Sequence, residues 1–426
     1  MPQDKQSLAV WLSGEWVGVL QQTPTGSMQF TYLPQASQAL SIGMPIRSEP
    51  YNDVRSEAYF GGLLPESAMA RKAIGQRYGI NPHNSFGVLR AIGYDCAGAV
   101  SLHPLHETVS AQAAQPFPLS GKALSEEALY HHIQELPQKP LFLGAEGLRL
   151  SLAGAQDKAA VCVIDNEIAL PQAGCPTTHI LKPVMPGVDG IIHNEYACLK
   201  LAQRVCGSMG LKVPHAEIRW AQQTPYLLIE RYDRVIASGH VQRIHQEDFC
   251  QALGIISANK YQREGGPDFT ACFDLLRATT RPVKDRNAMA ALMAFNYLIA
   301  NCDAHGKNVS LLHHPQSQIA MAPAYDLICT QVYPHLAQTM AMKIGGYYEP
   351  DRIFARHWQR QCRQMGYSYP ALRETLYKQA RLLPDALQAE KANMQERNVF
   401  DPVLDEMARV IEARCQQTIQ RLETGD

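Results

Sequence analysis

The sequence has almost no net charge. Its 426 residues carry 39 lysines and arginines against 40 aspartates and glutamates, a formal balance of −1. That balance exerts no general pull toward nucleic acid or an anionic membrane, so any DNA contact must come from a local patch. The eleven cysteines, an odd number spread from Cys96 to Cys415, contain no CxxC pair. Neither a zinc knuckle nor a disulfide framework is suggested. Free thiols at this density fit a reducing cytoplasm. The opening MPQDKQSLAVWLSGEW has no basic segment followed by a long apolar one, so no secretory signal is expected. Long apolar runs are missing too. The longest, residues 288–300, is interrupted by Asn296, is too short to span a bilayer, and predicts a buried helix. Neither an internal repeat nor a low-complexity segment is found.

What remains is a chain with 46% hydrophobic and 19% charged residues, the composition of a globular protein with a full core. Its length suits about two to three domains. Residues 8–20, LAVWLSGEWVGVL, alternate about Ser13-Gly14 and predict a hairpin; Met28, Phe30 and Tyr32 continue the alternation. Residues 56–78 have a helical period, interrupted at Leu63-Leu64-Pro65, and residues 97–102 read as a short strand. The small, proline-bearing stretch 111–121 reads as a linker. Beyond it come two strand-like runs in 148–164 around the small-residue loop, a strand over 177–182, an amphipathic helix over 194–205 and a strand over 226–231. After Asp248 the period turns helical, with a strong helix at 289–299. A final helix is signalled by Asp401 as N-cap, Pro402 at its first position and the stripe Val403, Met407, Val410, Ile411, Ile419 and Leu422, read as core. The expected organisation is a first α+β unit over 1–110, a linker and helix over 111–140, a β-rich lobe over 141–235 and a helical lobe over 236–426. The fold class is α+β, with the two-lobed order of a protein-kinase-like enzyme.

The strongest local signal for chemistry is Asn301-Cys302-Asp303-Ala304-His305-Gly306-Lys307-Asn308. Asp303 and Asn308 have the D-x-x-x-x-N spacing of kinase catalytic loops. Phosphoryl transfer needs a carboxylate near the attacking hydroxyl and an amide oxygen that helps hold a metal. A tight loop after a rigid helix delivers both, and Lys307 between them can neutralise charge building on a γ-phosphate. An ordinary Asp/Asn/Gly turn has the same appearance. The sequel favours catalysis: a hairpin pattern leads into Ala324-Tyr325-Asp326, where a kinase keeps its magnesium aspartate, although Leu-Ile follows here in place of Phe-Gly. Upstream, Lys182 closes the strand TTHILK, where a lysine can pair with α- and β-phosphates. Glu195, which opens the next helix, is the nearest carboxylate to hold it; a first-turn glutamate favoured by the helix dipole is the plainer alternative. The loop from Ser151 to Lys158 is neither G-x-x-x-x-G-K-[ST] nor G-x-G-x-x-G, and taken alone it is a hairpin turn.

Taken in order, RLSLAGAQDK, PTTHILKP, NEY at the head of a helix, ERYDR, HQEDFCQALG, CDAHGKNVS and AYDLI resemble the motif set of the HipA family. MPIRSEPY, GLLPES and IGYDCAGAVSL resemble that family's N-terminal subdomain, so the resemblance covers nearly the whole chain. It implies a Ser/Thr protein kinase of a toxin–antitoxin module, using ATP and Mg2+. By that resemblance Ala153, Gly154, Ala155, Gln156, Asp157 and Lys158 form the ATP-phosphate loop and Lys182 is the ATP-binding lysine. Glu230, Arg231 and Tyr232 form the hinge that meets adenine, and Asp303 is the proton acceptor. His305, Gly306, Lys307, Asn308, Tyr325 and Asp326 supply the other nucleotide contacts, with Asn308 and Asp326 on the metal. Ser151 is the serine that such enzymes autophosphorylate to switch themselves off.

The family implies, further, an aminoacyl-tRNA synthetase as protein substrate, with glutamate–tRNA ligase first among them. It also implies a HipB-like helix-turn-helix antitoxin that carries the kinase onto operator DNA, with no membrane partner and a cytoplasmic location. Arg352, Arg356, Arg360 and Arg363 recur at helical spacing. Read from residues alone they are a solvated basic face; in the family setting Arg363 becomes a candidate DNA-phosphate contact. Gly265-Gly266-Pro267 predicts a turn or part of an activation segment. Asp248 and Gln251 fall in a family-like motif, and His313 and His314 read as surface residues. Two other functions compete: a DNA-bound corepressor of its own operon with secondary catalysis, and a small-molecule kinase. The intact Asp303, Asn308 and Asp326 favour an enzyme over the first, and the Ser151 loop favours the HipA type over the second.

Overall fold

The computed structural model describes residues 6–105, 116–136, 138–142, 151, 153–154, 156–172, 174–316 and 318–425. Ala155, residues 111–115 of the expected linker, and all of the first strand-like run before the small-residue loop except Ser151 lie outside them. The chain forms two compact units. One comprises Met1–Pro183, Arg219–Ala258 and Leu312–Gln316, the other Val184–Ile218, Asn259–Leu311 and Ser317–Asp426. The fold is α+β, β-rich in the first unit and mostly helical in the second.

The first unit opens with an antiparallel sheet in the order Met28–Tyr32, Glu15–Gln22, Ser7–Leu12, Val100–Pro104. The expected hairpin turns at Ser13 and Gly14, whose φ values of 50° and 87° give the twist that a two-residue turn needs. Met28, Phe30 and Tyr32 are buried and alternate with half-buried neighbours. Three helices follow, Asp53–Phe60, Ala68–Tyr78 and Ser85–Ile92. Each starts behind a side chain that accepts a backbone N–H of its first turn: Asn52 from Arg55, Ser67 from Ala70 and Asn84 from Gly87. The interrupted helix expected over 56–78 is thus two helices, parted by a 3-10 turn at Gly61–Leu63 and an extended link.

A second sheet has the order Ala216–Ala221, Thr224–Glu230, His179–Pro183, Ala159–Ile164, Glu167–Pro171, Gly121–Ala123, with Leu227 paired to Lys182 and Ala159 to Leu181. One hydrophobic core runs from the first sheet to the second, through Phe30, Tyr59, Phe60, Leu129, Val161 and Leu228. Asp248 and Gln251 prove structural. They form a reciprocal capping box on the short helix Phe249–Leu253, and the Gln251 amide also donates to Tyr59 O at 2.8 Å. His313 is not a plain surface residue: its Nε2 lies 2.8 Å from the fully buried carboxylate of Glu247.

The second unit is built on Pro282–Leu298, with proline in its first turn and every residue from Ala288 to Leu298 buried. The apolar run noted in the sequence is therefore a central helix, and among the described residues no helix is long and apolar enough to cross a membrane. Tyr369–Glu396 packs against it and against Ile191–Cys206 and Val403–Thr424. The last helix starts at Val403, whose N–H is accepted by Asp401, so Pro402 precedes the first turn and does not occupy it. Leu404, Met407, Ile411, Cys415 and Leu422 are its buried stripe, whereas Val410 and Ile419 are only half-buried.

Candidate active site

The catalytic-loop sequence sits where the central helix ends. Ala300 turns the chain with φ 57°, a left-handed conformation that costs a non-glycine residue about 1–3 kcal/mol. Asn301 comes next and is 2% exposed. Its Nδ2 donates to Asn296 Oδ1 at 3.1 Å and to the main-chain oxygen of Asp326 at 3.3 Å, while its Oδ1 accepts the Asp303 N–H at 3.1 Å. One buried amide therefore ties the backbones of the two carboxylates expected to act together. Asn308 Nδ2 donates to Asp303 O at 2.9 Å, closing the loop on itself. Thr330 accepts the Cys302 N–H at 2.7 Å and donates to Ala300 O.

Asp326 also has a left-handed backbone, φ 52°. Tyr325 donates its hydroxyl to Lys307 O at 2.7 Å and lies 2.6 Å from the Ser310 hydroxyl, and Ala322 N–H bonds Ser310 O. These bonds bring the segment carrying Asp326 back to the loop carrying Asp303, Lys307 and Asn308. A small cavity here is lined by Asn301, Asn308, Tyr325 and Asp326 together with Met289, Met293 and Met342. His305 is buried, and that burial, with Lys260 and Lys307 nearby, pushes its pKa down to about 3. It is a neutral imidazole at physiological pH, and its Nδ1 has no partner among the described residues. Glu195 is also buried in this unit. It stands in the second turn of Ile191–Cys206, beyond the first-turn position where a helix dipole alone would account for it.

In the other unit, Ser151 is completely buried. Its hydroxyl donates to Leu63 O at 2.7 Å and its N–H to Asp95 O at 2.9 Å. Gly154 has φ 110° and its carbonyl accepts the Glu66 N–H, so the loop is pinned at two points to the segment Leu63 to Glu66. Lys158 donates to Ala153 O at 2.8 Å, across Gly154, whose left-handed φ of 110° is the conformation that calls for glycine. The Gln156 amide nitrogen is buried without a partner among the described residues, and burial raises the Asp157 pKa. Lys182 is buried on its strand.

At the expected hinge, Glu230 is exposed and Tyr232 donates its hydroxyl to Gln246. The Arg231 side chain is engaged elsewhere, in a buried cluster of three arginines and two aspartates that the sequence did not announce. Arg231 binds Asp233 at 2.8 and 3.0 Å, Arg234 binds Asp95 and Asp233 at 2.9 Å each, and Arg243 reaches Asp95 at 3.4 Å. Thr177 bridges Arg231 and Asp95, and the carbonyls of Cys96, Gly98 and Val100 accept further guanidinium protons.

Arg356, Arg360 and Arg363 are exposed on the helix Ala355–Met365. Arg352 is not on that helix. It belongs to the turn Pro350–Arg352 and stacks over Tyr347 at 4.6 Å, so the helical row has three arginines and not four.

A kinase-like order of β-rich and helical parts, a loop with the Asp-to-Asn spacing of kinase catalytic loops and a second aspartate tied to it are what a kinase-class enzyme would show. Comparison with known proteins agrees. Residues 8–103 match the HipA N-terminal domain and residues 150–389 the HipA-like C-terminal domain. A Sinorhizobium fredii protein named "Putative kinase Y4mE" is 41% identical over 87% of this chain and 88% of its own. The "Serine/threonine-protein kinase toxin HipA" of Shewanella oneidensis is 29% identical over 76% of this chain and 75% of its own. The solved complex of Shewanella oneidensis HipA, HipB and operator DNA contains a chain that superposes with a TM-score of 0.82 at 26% identity, covering 98% of each chain. The chain belongs to the HipA family.

Proposed function

We propose that this chain transfers the γ-phosphate of ATP to serine or threonine of a protein, with Asp303 as general base. The observation that carries this reading is the Asn301 side chain, which ties the backbones of Asp303 and Asp326 through bonds of 3.1 and 3.3 Å. Asp303 orients the acceptor hydroxyl and takes its proton as the hydroxyl oxygen attacks. Lys307 supplies positive charge against the charge developing on the phosphoryl oxygens. Asn308 and Asp326 offer one amide and one carboxylate oxygen, a hard donor pair suited to Mg2+, which is usually held by one or two protein groups together with phosphates and waters. The Asn308 Nδ2 is engaged with Asp303 O, which leaves the oxygen end of that amide for the cation. The bound ion would screen the phosphates. The loop Ala153 to Lys158, with the Gln156 amide nitrogen that has no partner among the described residues, and Lys182 would receive the phosphates; the main chain at Glu230 to Tyr232 would meet adenine, since the Arg231 guanidinium is occupied.

In this reading the protein substrate is an aminoacyl-tRNA synthetase, glutamate–tRNA ligase first, whose modification halts translation and growth in the cytoplasm. Ser151 is the self-inactivation site. Because its hydroxyl is buried against Leu63, the loop must leave that position before Ser151 can accept phosphate. A HipB-like antitoxin is the expected partner, in keeping with the HipA, HipB and operator DNA complex of the Shewanella relative. The exposed row Arg356, Arg360, Arg363 favours operator DNA as a further contact of that assembly. The test is mass spectrometry of a sensitive lysate incubated with the kinase and labelled ATP. A single dominant serine or threonine phosphosite on a tRNA synthetase is expected; a labelled metabolite with no labelled protein contradicts the proposal.

A further inference from the structure

Tyr261 is half-buried in the second unit, between two 3-10 turns, and none of the motifs above includes it. Its hydroxyl donates to Asp303 Oδ1 at 2.5 Å. Its ring meets the His305 ring edge-on, with centroids 5.0 Å apart and planes at 90°. The backbone around it is fixed from three sides. Tyr261 O accepts the N–H groups of Glu264 and Gly266; the preceding carbonyl, Lys260 O, accepts the Gly306 N–H of the catalytic loop; and Gln262 is bonded through its N–H to Ala341 O and through its Oε1 to the Lys343 N–H. These bonds fix the backbone from which the side chain starts, and its contacts with Asp303 and His305 set where the ring and hydroxyl end.

We infer that Tyr261 is a positioning residue of the general base. By fixing one carboxylate oxygen, its hydroxyl sets the plane of Asp303 and hence the direction in which the second oxygen meets an acceptor hydroxyl. The role rests on the kinase reading of Asp303. It makes a definite prediction for Tyr261→Phe, which keeps the ring and its edge contact with His305 and removes only the hydroxyl. A hydrogen bond to a charged group typically accounts for about 10- to 100-fold in rate when it is present in the transition state. Since Tyr261 acts through the base, kcat should fall by about that factor while ATP affinity stays within about twofold.

The experiment compares the wild-type chain, Asp303→Asn and Tyr261→Phe. Transfer from γ-labelled ATP to the chain itself and to dephosphorylated casein gives kcat and KM, and calorimetry gives the ATP Kd. A fall in kcat for Tyr261→Phe at unchanged ATP Kd supports positioning. A rate within twofold of wild type, or a rise, overturns it, the rise meaning that the hydroxyl blocks the base. Parallel loss of ATP binding also overturns it, because a general structural role would then suffice. Failure of the kinase reading looks different: Asp303→Asn would itself transfer phosphate at the wild-type rate, or the wild-type chain would transfer none.

Discussion

Asp233→Asn should be among the most destabilising isosteric changes in the first unit. The side chains of Arg231, Arg234 and Arg243 are 2%, 1% and 6% exposed, and those of Asp95 and Asp233 are 11% and 4% exposed. Asp233 accepts two bonds from Arg231 at 2.8 and 3.0 Å and the Gly98 N–H at 2.7 Å, and it lies 2.9 Å from an Arg234 nitrogen. The amide removes one of the two negative charges that, among the described residues, face the three buried guanidiniums. It also turns an NH2 group toward an arginine or toward Gly98 N–H, whichever the oxygen does not face. Breaking a buried ion pair on one side costs about 3–5 kcal/mol, because the remaining charge stays buried without compensation. For a unit of this size each kcal/mol moves the midpoint by about 2–4 °C, so the first unfolding transition should drop by roughly 10 °C.

The pH dependence fixes the sign. Burial alone would raise the Asp233 pKa, but Arg231 and Arg234 more than offset it and hold the carboxyl well below the usual range. A depressed folded-state pKa contributes stability that is fully present above the unfolded value, about 3.9, and is lost as pH falls below that toward the folded pKa. The difference between wild type and variant should therefore be constant from pH 5 to 8 and shrink below about pH 4. Urea or thermal unfolding followed by circular dichroism at several pH values measures it. A loss under about 1 kcal/mol, or a difference that changes between pH 5 and 8, would refute the assignment of this cluster as a fully desolvated ionic clamp.

Other consequences can be checked separately. Asp326→Asn should weaken ATP binding in the presence of magnesium and leave metal-free binding nearly unchanged, as a hard cation gains much from a carboxylate and little from an amide; calorimetry with and without the metal decides it. Ser151 should carry the autophosphate, appear faster per molecule at higher protein concentration, and lose ATP affinity when modified, since the added charge repels the triphosphate; a phosphopeptide map with Ser151 unmodified in a self-inactivated sample contradicts this. Arg363→Ala should lower the affinity of an antitoxin complex for operator DNA and flatten its salt slope by about one unit with kinase activity intact; an unchanged slope leaves the arginine row as a solvated face.

What the sequence revealed was local. The hairpin at Ser13-Gly14, the buried run 288–300 and the Asp303-to-Asn308 spacing are each written within a few residues, where side-chain period, turn preference and loop length act directly. What stayed hidden depends on partners far apart in the chain. Arg231 meets Thr177 across 54 residues and Arg243 meets Val100 across 143. Tyr261 meets Asp303 across 42, and Asn301 meets Asp326 across 25. No periodicity connects such pairs. His313 looked like a surface residue because nothing nearby marks Glu247, 66 residues earlier, as its acceptor. Arg352 was placed on a helix because spacing alone does not show that Pro350 opens a separate 3-10 turn and that the helix starts only at Ala355. A signal that could have been used for Asn301 is its place: an amide directly after a fully apolar helix, where unpaired end carbonyls and a tight loop both call for a side chain that donates and accepts.

The central claim is that Asp303 performs the chemistry in an otherwise intact nucleotide site. Its most direct test measures transfer from γ-labelled ATP by wild type and Asp303→Asn side by side, with ATP affinity and thermal midpoint recorded on the same samples. Removal of the carboxylate at unchanged shape should reduce transfer by at least about 100-fold, within the usual 10²–10⁴ range for a general base, at unchanged ATP affinity and midpoint. Transfer at near the wild-type rate by a folded, ATP-binding Asp303→Asn protein would contradict the account.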